Sequence, residues 1–276
     1  MVKRFTTHRI PLTGERTLLA RVWPGDGSSI VFLHGIFGSS ESWDGICSTL
    51  DRPCIAFDLP GFGGSDLPSA PDVSAYAGDV AAALRALGVD RFELVGHSFG
   101  GAVAAALADM AADKVTSLTL LAPAGFGRIA MAETLSAPGL RSLAGAALPW
   151  FLRHRHRYTE ISEGQLEASR VALEALVAAG RAPLRRADGY RGPVTAVWGT
   201  DDRVVRPRHS RDVVRAYPQT SVHVWDGMGH HPLRQRPGAL LELLETGRTT
   251  AVSRRPTPAP RRARLSLRPA PAPRFA

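Results

Sequence analysis

One serine of this chain stands in a setting that suits a nucleophile. Ser98 lies at the centre of residues 96–100 (GHSFG), between an apolar run at residues 92–95 and a small-residue run at residues 101–108. The first run predicts a buried strand and the second predicts a helix. A serine at the apex of a sharp strand-to-helix turn has strained backbone angles, and its hydroxyl stands clear of the sheet. The pattern therefore indicates nucleophilic chemistry at Ser98.

A serine nucleophile needs a base within hydrogen-bond reach. On a strand–turn–helix scaffold of this kind its partners follow later strands, and the histidine comes last. His230 and His231 follow the final apolar strand run, residues 221–225. The other seven histidines lie too early, inside a strand, at the start of a helix or in a segment without strand patterns. The base is therefore either His230 or His231.

The base in turn needs a carboxylate that orients it, and this acid must follow a strand that comes after Ser98. The strand run that ends at Leu121 is followed by Ala-Pro-Ala, whereas the run that ends at Trp198 is followed by Asp201 and Asp202. Aspartate is also common in turns and helix caps, and that role is expected for whichever of the two is not the acid. The acid is therefore either Asp201 or Asp202.

Attack on a carbonyl carbon creates an oxyanion, which backbone N–H groups stabilise. One predicted donor is the N–H of Phe99, directly after the serine. The other is expected from the glycine-rich loop after an early strand, where Ile36 is the candidate. Gly35 lets that loop pass close to the serine, and Gly96 and Gly100 allow the strand and the helix of the turn to approach each other.

Strand patterns alternate with helical patterns along most of the chain. This alternation is typical of a mostly parallel sheet, covered on both faces by helices and joined by right-handed crossovers, so the predicted fold class is α/β. The predicted strands are residues 6–12, 16–23, 29–33, 54–58, 92–95, 115–121, 193–198 and 221–225, and the predicted helices are residues 43–50, 74–87, 101–108, 163–179 and 237–245.

Two segments break this alternation. Residues 126–188 contain helical stretches and no strand run, and they follow a strand at the carboxyl edge of the sheet, where ligands bind in such folds. We expect them to form a helical cap on a core made of residues 1–125 and 189–248. Residues 249–276 are rich in Arg, Pro and Ala, a composition that cannot bury a core and predicts a disordered tail.

The charge of the chain is concentrated in that tail. The net charge is +9, and the tail holds seven arginines and no acid, so the rest of the chain carries 9 − 7 = +2. We therefore expect no nucleic-acid binding by the core, whereas the basic tail could contact anionic surfaces.

Composition narrows the class of protein further. The chain has 276 residues, of which 44% are hydrophobic and 21% charged, which is ordinary for a globular protein. No apolar run is long enough for a membrane helix, and the N-terminus shows no signal peptide, which favours the cytoplasm. Cys47 and Cys54 are too few for a structural zinc site, so we expect two partly buried thiols and no metal.

Together these motifs resemble the α/β-hydrolase superfamily, in its cap-bearing branch of single-domain serine hydrolases. The resemblance covers roughly residues 15–246, in the family's order along the chain. The matching motifs are residues 34–35 (HG), 58–65 (DLPGFGGS), 96–101 (GHSFGG), 198–202 (WGTDD) and 229–232 (GHHP).

The resemblance implies a choice between the open alternatives. The acid of this family is the last residue of W-G-x-x-D, here Asp202, and its histidine follows the glycine of G-H-x-P, here His230. A Ser98–His230–Asp202 triad that works through an acyl-enzyme is implied, with no metal or cofactor. The sequence departs from the family at Arg206, often a proline, and at Gln235, often a glutamate.

The expected function is hydrolysis of carboxylic esters or related carbonyl compounds, with a small apolar or acyl-bearing substrate. The alternative is C–C bond hydrolysis, perhydrolysis or acyl transfer to another acceptor, because the same triad serves all of these reactions. A ligand-binding module without catalysis is least favoured, since an intact triad argues against it. Ser98 itself argues against the branches of the superfamily that use an aspartate nucleophile.

Overall fold

An eight-stranded sheet forms the centre of the protein. The computed structural model describes residues 3–126, 163–181 and 189–247. The predicted tail, residues 249–276, lies outside the described residues, as does most of the predicted cap, residues 126–188.

The structure contains nearly every strand and helix that the sequence predicts within the described residues. The strands are β1 (Thr6–Pro11), β2 (Thr17–Trp23), β3 (Ser29–Leu33), β4 (Cys54–Phe57), β5 (Phe92–His97), β6 (Val115–Leu121), β7 (Val194–Gly199) and β8 (Thr220–Trp225). The helices are α1 (Asp44–Cys47), α2 (Val73–Ala86), α3 (Phe99–Met110), α4 (Glu163–Arg181), α5 (Ser210–Ala216), α6 (Pro232–Gln235) and α7 (Pro237–Thr246).

The helix predicted at residues 43–50 is shorter than expected. A single 3₁₀ turn, Ser40–Trp43, leads into one α-helical turn, Asp44–Cys47, and isolated turn bonds continue to Leu50. Gly45 lies in this turn, and glycine is the poorest helix former after proline. The segment therefore folds as consecutive turns and not as a regular helix.

The strands lie in the order β1-β2-β4-β3-β5-β6-β7-β8. The sheet is mostly parallel, as the alternation of elements predicts. Strands β1 and β2 form an antiparallel hairpin at one edge, and β2 also pairs antiparallel with β4. All the remaining pairs are parallel. The carboxyl ends of β3, β5, β7 and β8 therefore lie along one edge of the sheet, which is the edge that carries all the candidate functional residues.

Both faces of the sheet are buried by helices. In β3, Val31 and Leu33 belong to the hydrophobic cluster that includes α2, α3 and α4, whereas Ile30 and Phe32 belong to the cluster that includes α1 and α7. Each such side chain contributes about 1.5–3 kcal/mol when it is buried. A strand that is buried on both faces must be apolar at every position, which explains the continuous apolar run of β3.

Helix α4 is the main part of the predicted cap that the structure describes. Its buried face includes Ala168, Ala172 and Leu176, which join the cluster on the α2–α3 face of the sheet. Ala168 also packs against Gly61 in the loop after β4, because a Cβ at Gly61 would lie 2.9 Å from the Ala168 Cβ. In residues 3–126, 163–181 and 189–247 no helix combines the length and the apolarity needed to cross a membrane.

Candidate active site

Ser98 occupies the tight turn between β5 and α3, which we call the elbow (residues 96–100). Its backbone angles are φ 52° and ψ −115°, a strained conformation for a residue with a side chain. Three hydrogen bonds of 2.9 Å hold it there: the Ser98 N–H donates to the Leu121 carbonyl, and the Ser98 carbonyl accepts from the N–H groups of Gly101 and Ala124. The end of β6, the loop after it and the start of α3 therefore hold Ser98 in this strained conformation.

Two glycines make the elbow sterically possible. A Cβ at Gly96 would collide with the Gly100 carbonyl and lie 2.7 Å from the Cβ of Ala104. A Cβ at Gly100 would collide with the carbonyl groups of Leu33 and His34. Because most of these obstacles are backbone atoms, neither position accepts a side chain without a shift of the main chain. The same closeness brings the loop after β3 against the elbow.

A chain of hydrogen bonds joins Ser98 to side chains from two other strand ends. His230, after β8, places Nε2 3.0 Å from the Ser98 Oγ, and its Nδ1 lies 2.8 Å from Oδ2 of Asp202, after β7. The other oxygen of Asp202, Oδ1, accepts from the N–H groups of Val204 (2.8 Å) and Val205 (2.9 Å). A carboxylate only accepts, so Nδ1 of His230 carries the proton and Nε2 accepts from the serine hydroxyl.

The structure distinguishes between the alternatives that residue patterns alone leave open. The Asp202 side chain is fully buried and that of His230 is 9% exposed. Asp201 is exposed and hydrogen-bonds to Thr200 Oγ1 at 3.3 Å, whereas the ring of His231 lies beside that of His230 at 5.4 Å between centroids. Asp202 and His230 are thus the members of each pair that connect to Ser98.

The loops that carry the acid and the histidine are packed directly against each other. A Cβ at Gly199 would collide with the Met228 carbonyl, and this same carbonyl accepts from the N–H of Asp201 at 2.9 Å. Gln235 Oε1 accepts from the N–H of Gly229 at 2.9 Å. An amide oxygen at position 235 thus provides an acceptor that the family's frequent glutamate would also provide.

The two predicted oxyanion donors lie in segments that meet at the serine. Phe99 is the first residue of α3, so its N–H has no acceptor within the helix, and the positive end of the helix dipole adds to its donor strength. Ile36 lies in the turn after β3 that the Gly38 N–H closes on the Gly35 carbonyl at 3.0 Å. A Cβ at Gly35 would be 3.1 Å from the Ser98 Cβ, so this turn passes directly beside the elbow.

Known proteins resemble this chain in sequence and in fold. Residues 29–160 match the model of the alpha/beta hydrolase fold family. A solved esterase of Rhodococcus sp. ECU1013 is 28% identical and superposes with a TM-score of 0.65, covering 87% of this chain and 98% of that one. The chain belongs to the α/β-hydrolase superfamily. The predictions of the α/β-hydrolase fold and of an esterase-like hydrolase are thereby confirmed at the level of the family.

Two curated relatives extend the comparison of this α/β hydrolase. The pimeloyl-[acyl-carrier protein] methyl ester esterase of Neisseria meningitidis is 28% identical over 244 residues, with 80% of this chain and 93% of the relative covered. The 2-hydroxy-6-oxo-6-phenylhexa-2,4-dienoate hydrolase of Comamonas testosteroni is 26% identical over 237 residues, with 75% and 82% covered.

A buried histidine that chain order excludes as the base secures the loop after β3 in this α/β hydrolase. His34 Nδ1 lies 2.7 Å from the Gly35 carbonyl, and its Nε2 accepts from the Leu59 N–H at 2.9 Å. A carbonyl only accepts, so Nδ1 carries the proton and the ring is neutral. Burial lowers the pKa of His34, in agreement with this bonding. His34 thus ties the loop after β3 to the loop after β4. Because the loop after β3 carries the predicted donor Ile36, we call it the oxyanion loop (residues 34–38).

Asp58, at the end of β4, has a comparable role. Its Oδ1 accepts from the Ser40 N–H at 2.7 Å and its Oδ2 accepts from the Gly64 N–H at 2.8 Å. The side chain is buried, and both of its oxygens bind backbone donors from loops on either side. Asp58 is part of a motif that the family resemblance rests on, but no sequence pattern predicted these bonds.

The loops around the serine present apolar side chains at the surface of the described structure. Phe37 follows Ile36 and is 51% exposed, Val204 follows the acid loop and is 42% exposed, and Leu67 follows the glycine-rich loop after β4 and is 44% exposed. Exposed apolar side chains on loops at the edge of the sheet that carries the site are available for contact with an apolar ligand or with another segment. In the described ranges no group of three or more His, Cys, Asp or Glu side chains is arranged to hold a metal ion.

Proposed function

We propose that this α/β hydrolase cleaves carboxylic esters by acyl transfer through Ser98 to water. The observation that carries the proposal is the unbroken path Ser98 Oγ–His230–Asp202, with hydrogen bonds of 3.0 and 2.8 Å. A serine hydroxyl becomes nucleophilic when a base removes its proton during attack, and this path supplies both the base and the group that orients it.

Acylation follows from the arrangement of these groups. His230 Nε2 takes the proton of Ser98 as Oγ forms a bond to the ester carbonyl carbon, and the carbonyl oxygen becomes an oxyanion. The N–H groups of Ile36 and Phe99 donate to that oxygen, an effect worth about 3 kcal/mol per donor in enzymes of this kind. Asp202 stabilises the imidazolium. His230 then gives its proton to the departing alkoxide, which leaves as the alcohol.

Deacylation repeats the same steps with water as the nucleophile. His230 Nε2 takes a proton from water as its oxygen bonds to the acyl carbon, and the same two N–H groups bind the second oxyanion. The bond from the acyl carbon to Ser98 Oγ then breaks, and the proton returns from His230 to the serine. The products are a carboxylic acid and an enzyme with its original protonation.

The substrate is proposed to be small, with an apolar acyl or alkyl group. Support comes from the exposed apolar side chains in the loops after β3, β4 and β7, which are Phe37, Leu67 and Val204. Residues 126–188 are proposed to form the cap that closes over this group. Support for the cap comes from α4, because Ala168 packs on the loop after β4 beside Leu67.

A covalent serine probe tests the proposal. A fluorophosphonate should label the wild-type protein, and Ser98→Ala should abolish both the labelling and the hydrolysis of a p-nitrophenyl ester. Ser117→Ala, on β6 and away from the site, is the matched control and should label like the wild type. Labelling that survives in Ser98→Ala would move the nucleophile elsewhere.

The second candidate function is hydrolysis of a C–C bond. It is favoured by the relative from Comamonas testosteroni, whose named substrate contains a ketone and no ester. A panel of p-nitrophenyl esters of increasing acyl length, run beside a vinylogous diketone, separates the two reactions. Turnover of the diketone with slow ester cleavage would favour the C–C reaction, whereas product diverted to an added alcohol or to hydrogen peroxide would indicate acyl transfer or perhydrolysis.

A further inference from the structure

His97, the residue before the nucleophile, makes contacts that no sequence pattern predicts. It is the last residue of β5 and is buried. Its Nε2 lies 2.8 Å from the backbone carbonyl of His230, a residue 133 positions later in the chain. A carbonyl oxygen only accepts hydrogen bonds, so Nε2 of His97 carries a proton and donates it to this carbonyl.

The other side of the His97 ring faces the oxyanion loop. A Cβ at Gly35 would lie 3.2 Å from His97 Nδ1 and 3.1 Å from the Ser98 Cβ. One side chain therefore touches the loop that carries Ile36 and also the loop that carries His230. It belongs to the elbow itself, so it joins three of the segments whose relative positions determine the geometry of attack.

His97 is also suited to remain neutral throughout the reaction. Burial, followed by repulsion from His230, holds the pKa of His97 well below its ordinary value. The titratable groups that face it are His230, His231 and His34, and its ring lies 5.0 Å from that of His230. A neutral His97 does not oppose the positive charge that His230 acquires when it takes the serine proton, whereas a cation here would.

We propose that His97 is a positioning residue, which holds the His230 backbone through its Nε2–H. This inference rests on the proposed triad. It assigns to the second residue of the GHSFG segment a role that depends on a hydrogen-bond donor and not only on bulk. Displacement of a catalytic group by about 1 Å can lower a rate by about a hundredfold. Loss of the single hydrogen bond from His97 to the main chain of His230 can therefore lower kcat.

The test compares two substitutions of similar size. His97→Gln keeps an amide N–H that can donate to the His230 carbonyl, whereas His97→Leu removes the donor and leaves that carbonyl without its bond. We expect His97→Leu to lower kcat about 10- to 100-fold with little change in KM, and His97→Gln to restore most of the loss. The values of kcat are divided by the fraction of protein that a fluorophosphonate labels, which removes the contribution of misfolded protein.

Two further variants make the outcome specific. In a His230→Ala background, His97→Leu should cause no additional loss of the residual activity, because His97 acts through His230. His231→Gln removes a neighbouring histidine that makes no bond to the His230 carbonyl, and it should keep the wild-type kcat.

The proposal is overturned if His97→Leu retains wild-type kcat per labelled site, if Gln and Leu are equally impaired, or if the loss persists in the His230→Ala background. Failure of the triad itself would appear differently, as labelling or turnover that survives Ser98→Ala.

Discussion

Two histidine–aspartate pairs lie at the carboxyl edge of the sheet, and only one of them contacts the serine. His34 and Asp58 follow β3 and β4, whereas His230 and Asp202 follow β8 and β7. The four side chains have the same chemical types and are largely withdrawn from water. The difference between the pairs lies entirely in what their nitrogen and oxygen atoms bind.

In the first pair the hydrogen-bonding atoms of both side chains bind backbone. His34 uses both ring nitrogens, one as donor to the Gly35 carbonyl and one as acceptor from a backbone N–H, and both oxygens of Asp58 accept from backbone N–H groups. In the second pair Asp202 directs one oxygen to the backbone and the other to His230, which leaves the second nitrogen of that ring for Ser98. A general base requires a lone pair directed at a proton that can move, and only the second pair has one.

The largest expected effect is that of Asp202→Asn. Oδ1 of Asp202 faces two backbone N–H groups, so an asparagine must place its oxygen there and direct its NH₂ group at His230. His230 must then accept at Nδ1 and carry its proton on Nε2, where it can no longer take the proton of Ser98. We expect kcat for a p-nitrophenyl ester to fall about 10³- to 10⁴-fold with little change in thermal unfolding.

Asp201→Asn is the matched control for that substitution. Its side chain is exposed and its bond to Thr200 lies outside the path to Ser98, so kcat should stay close to the wild-type value. If Asp201→Asn lost more activity than Asp202→Asn, the acid would have to be reassigned.

An intermediate effect is expected for Asp58→Asn, and on stability rather than on kcat. Both oxygens of Asp58 accept from backbone N–H groups, so either orientation of an asparagine sets a donor against a donor. We expect the free energy of unfolding to fall by about 1–3 kcal/mol, measured by urea denaturation followed through tryptophan fluorescence. The value of kcat per labelled serine should remain near wild type. A loss of kcat as large as that of Asp202→Asn, with stability intact, would remove the distinction between the two pairs.

The smallest expected effect is a change in how stability depends on pH. Burial lowers the pKa of His34 in the folded protein from its ordinary value of 6.5, so below that pH the unfolded chain binds more protons than the folded one. The free energy of unfolding therefore decreases as the pH falls from 6.5, and His34 contributes at most about 1.4 kcal/mol per pH unit to that slope.

His34→Gln isolates this contribution, because its amide can also accept from the Leu59 N–H but does not titrate. Its free energy of unfolding, measured in urea between pH 6.5 and about 5.5, should decline less steeply than that of the wild type. Equal slopes in the two proteins would show that His34 does not remain neutral in the fold.

The sequence was most informative where one local pattern decides one structural feature. The apolar run at residues 30–33 predicted β3, because a strand buried on both faces is apolar on both faces. The bounds predicted for β6 also match the structure, although this strand carries hydroxyl side chains at its half-buried positions. The GHSFG segment predicted the turn around Ser98, because only glycine fits where the strand and the helix nearly touch. The helix at residues 43–50 was predicted too long, because helical periodicity does not report how a glycine such as Gly45 weakens a short helix.

The sequence was least informative about which polar atoms meet. Asp58 and Asp202 each follow an apolar strand, and nothing in the neighbouring residues predicts that one binds only backbone and the other binds an imidazole. The contact between His97 and the His230 carbonyl depends on the spatial alignment of β5 with the loop after β8, across 133 positions. Position along the chain excluded His34 and His97 as the base, but it could not predict what they do instead.

Residue patterns alone predicted the alternating elements, a mostly parallel sheet and the short set of residues from which a nucleophile, a base and an acid can come. These follow from hydrophobic periodicity and from the sterics of glycine, which act over a few neighbouring residues. The partners of the hydrogen-bonding atoms of the four similar buried side chains became known from the tertiary structure. A hydrogen bond requires its two heavy atoms to lie within about a few tenths of an ångström of the ideal distance. That placement depends on how strands distant in sequence pair side by side in the sheet.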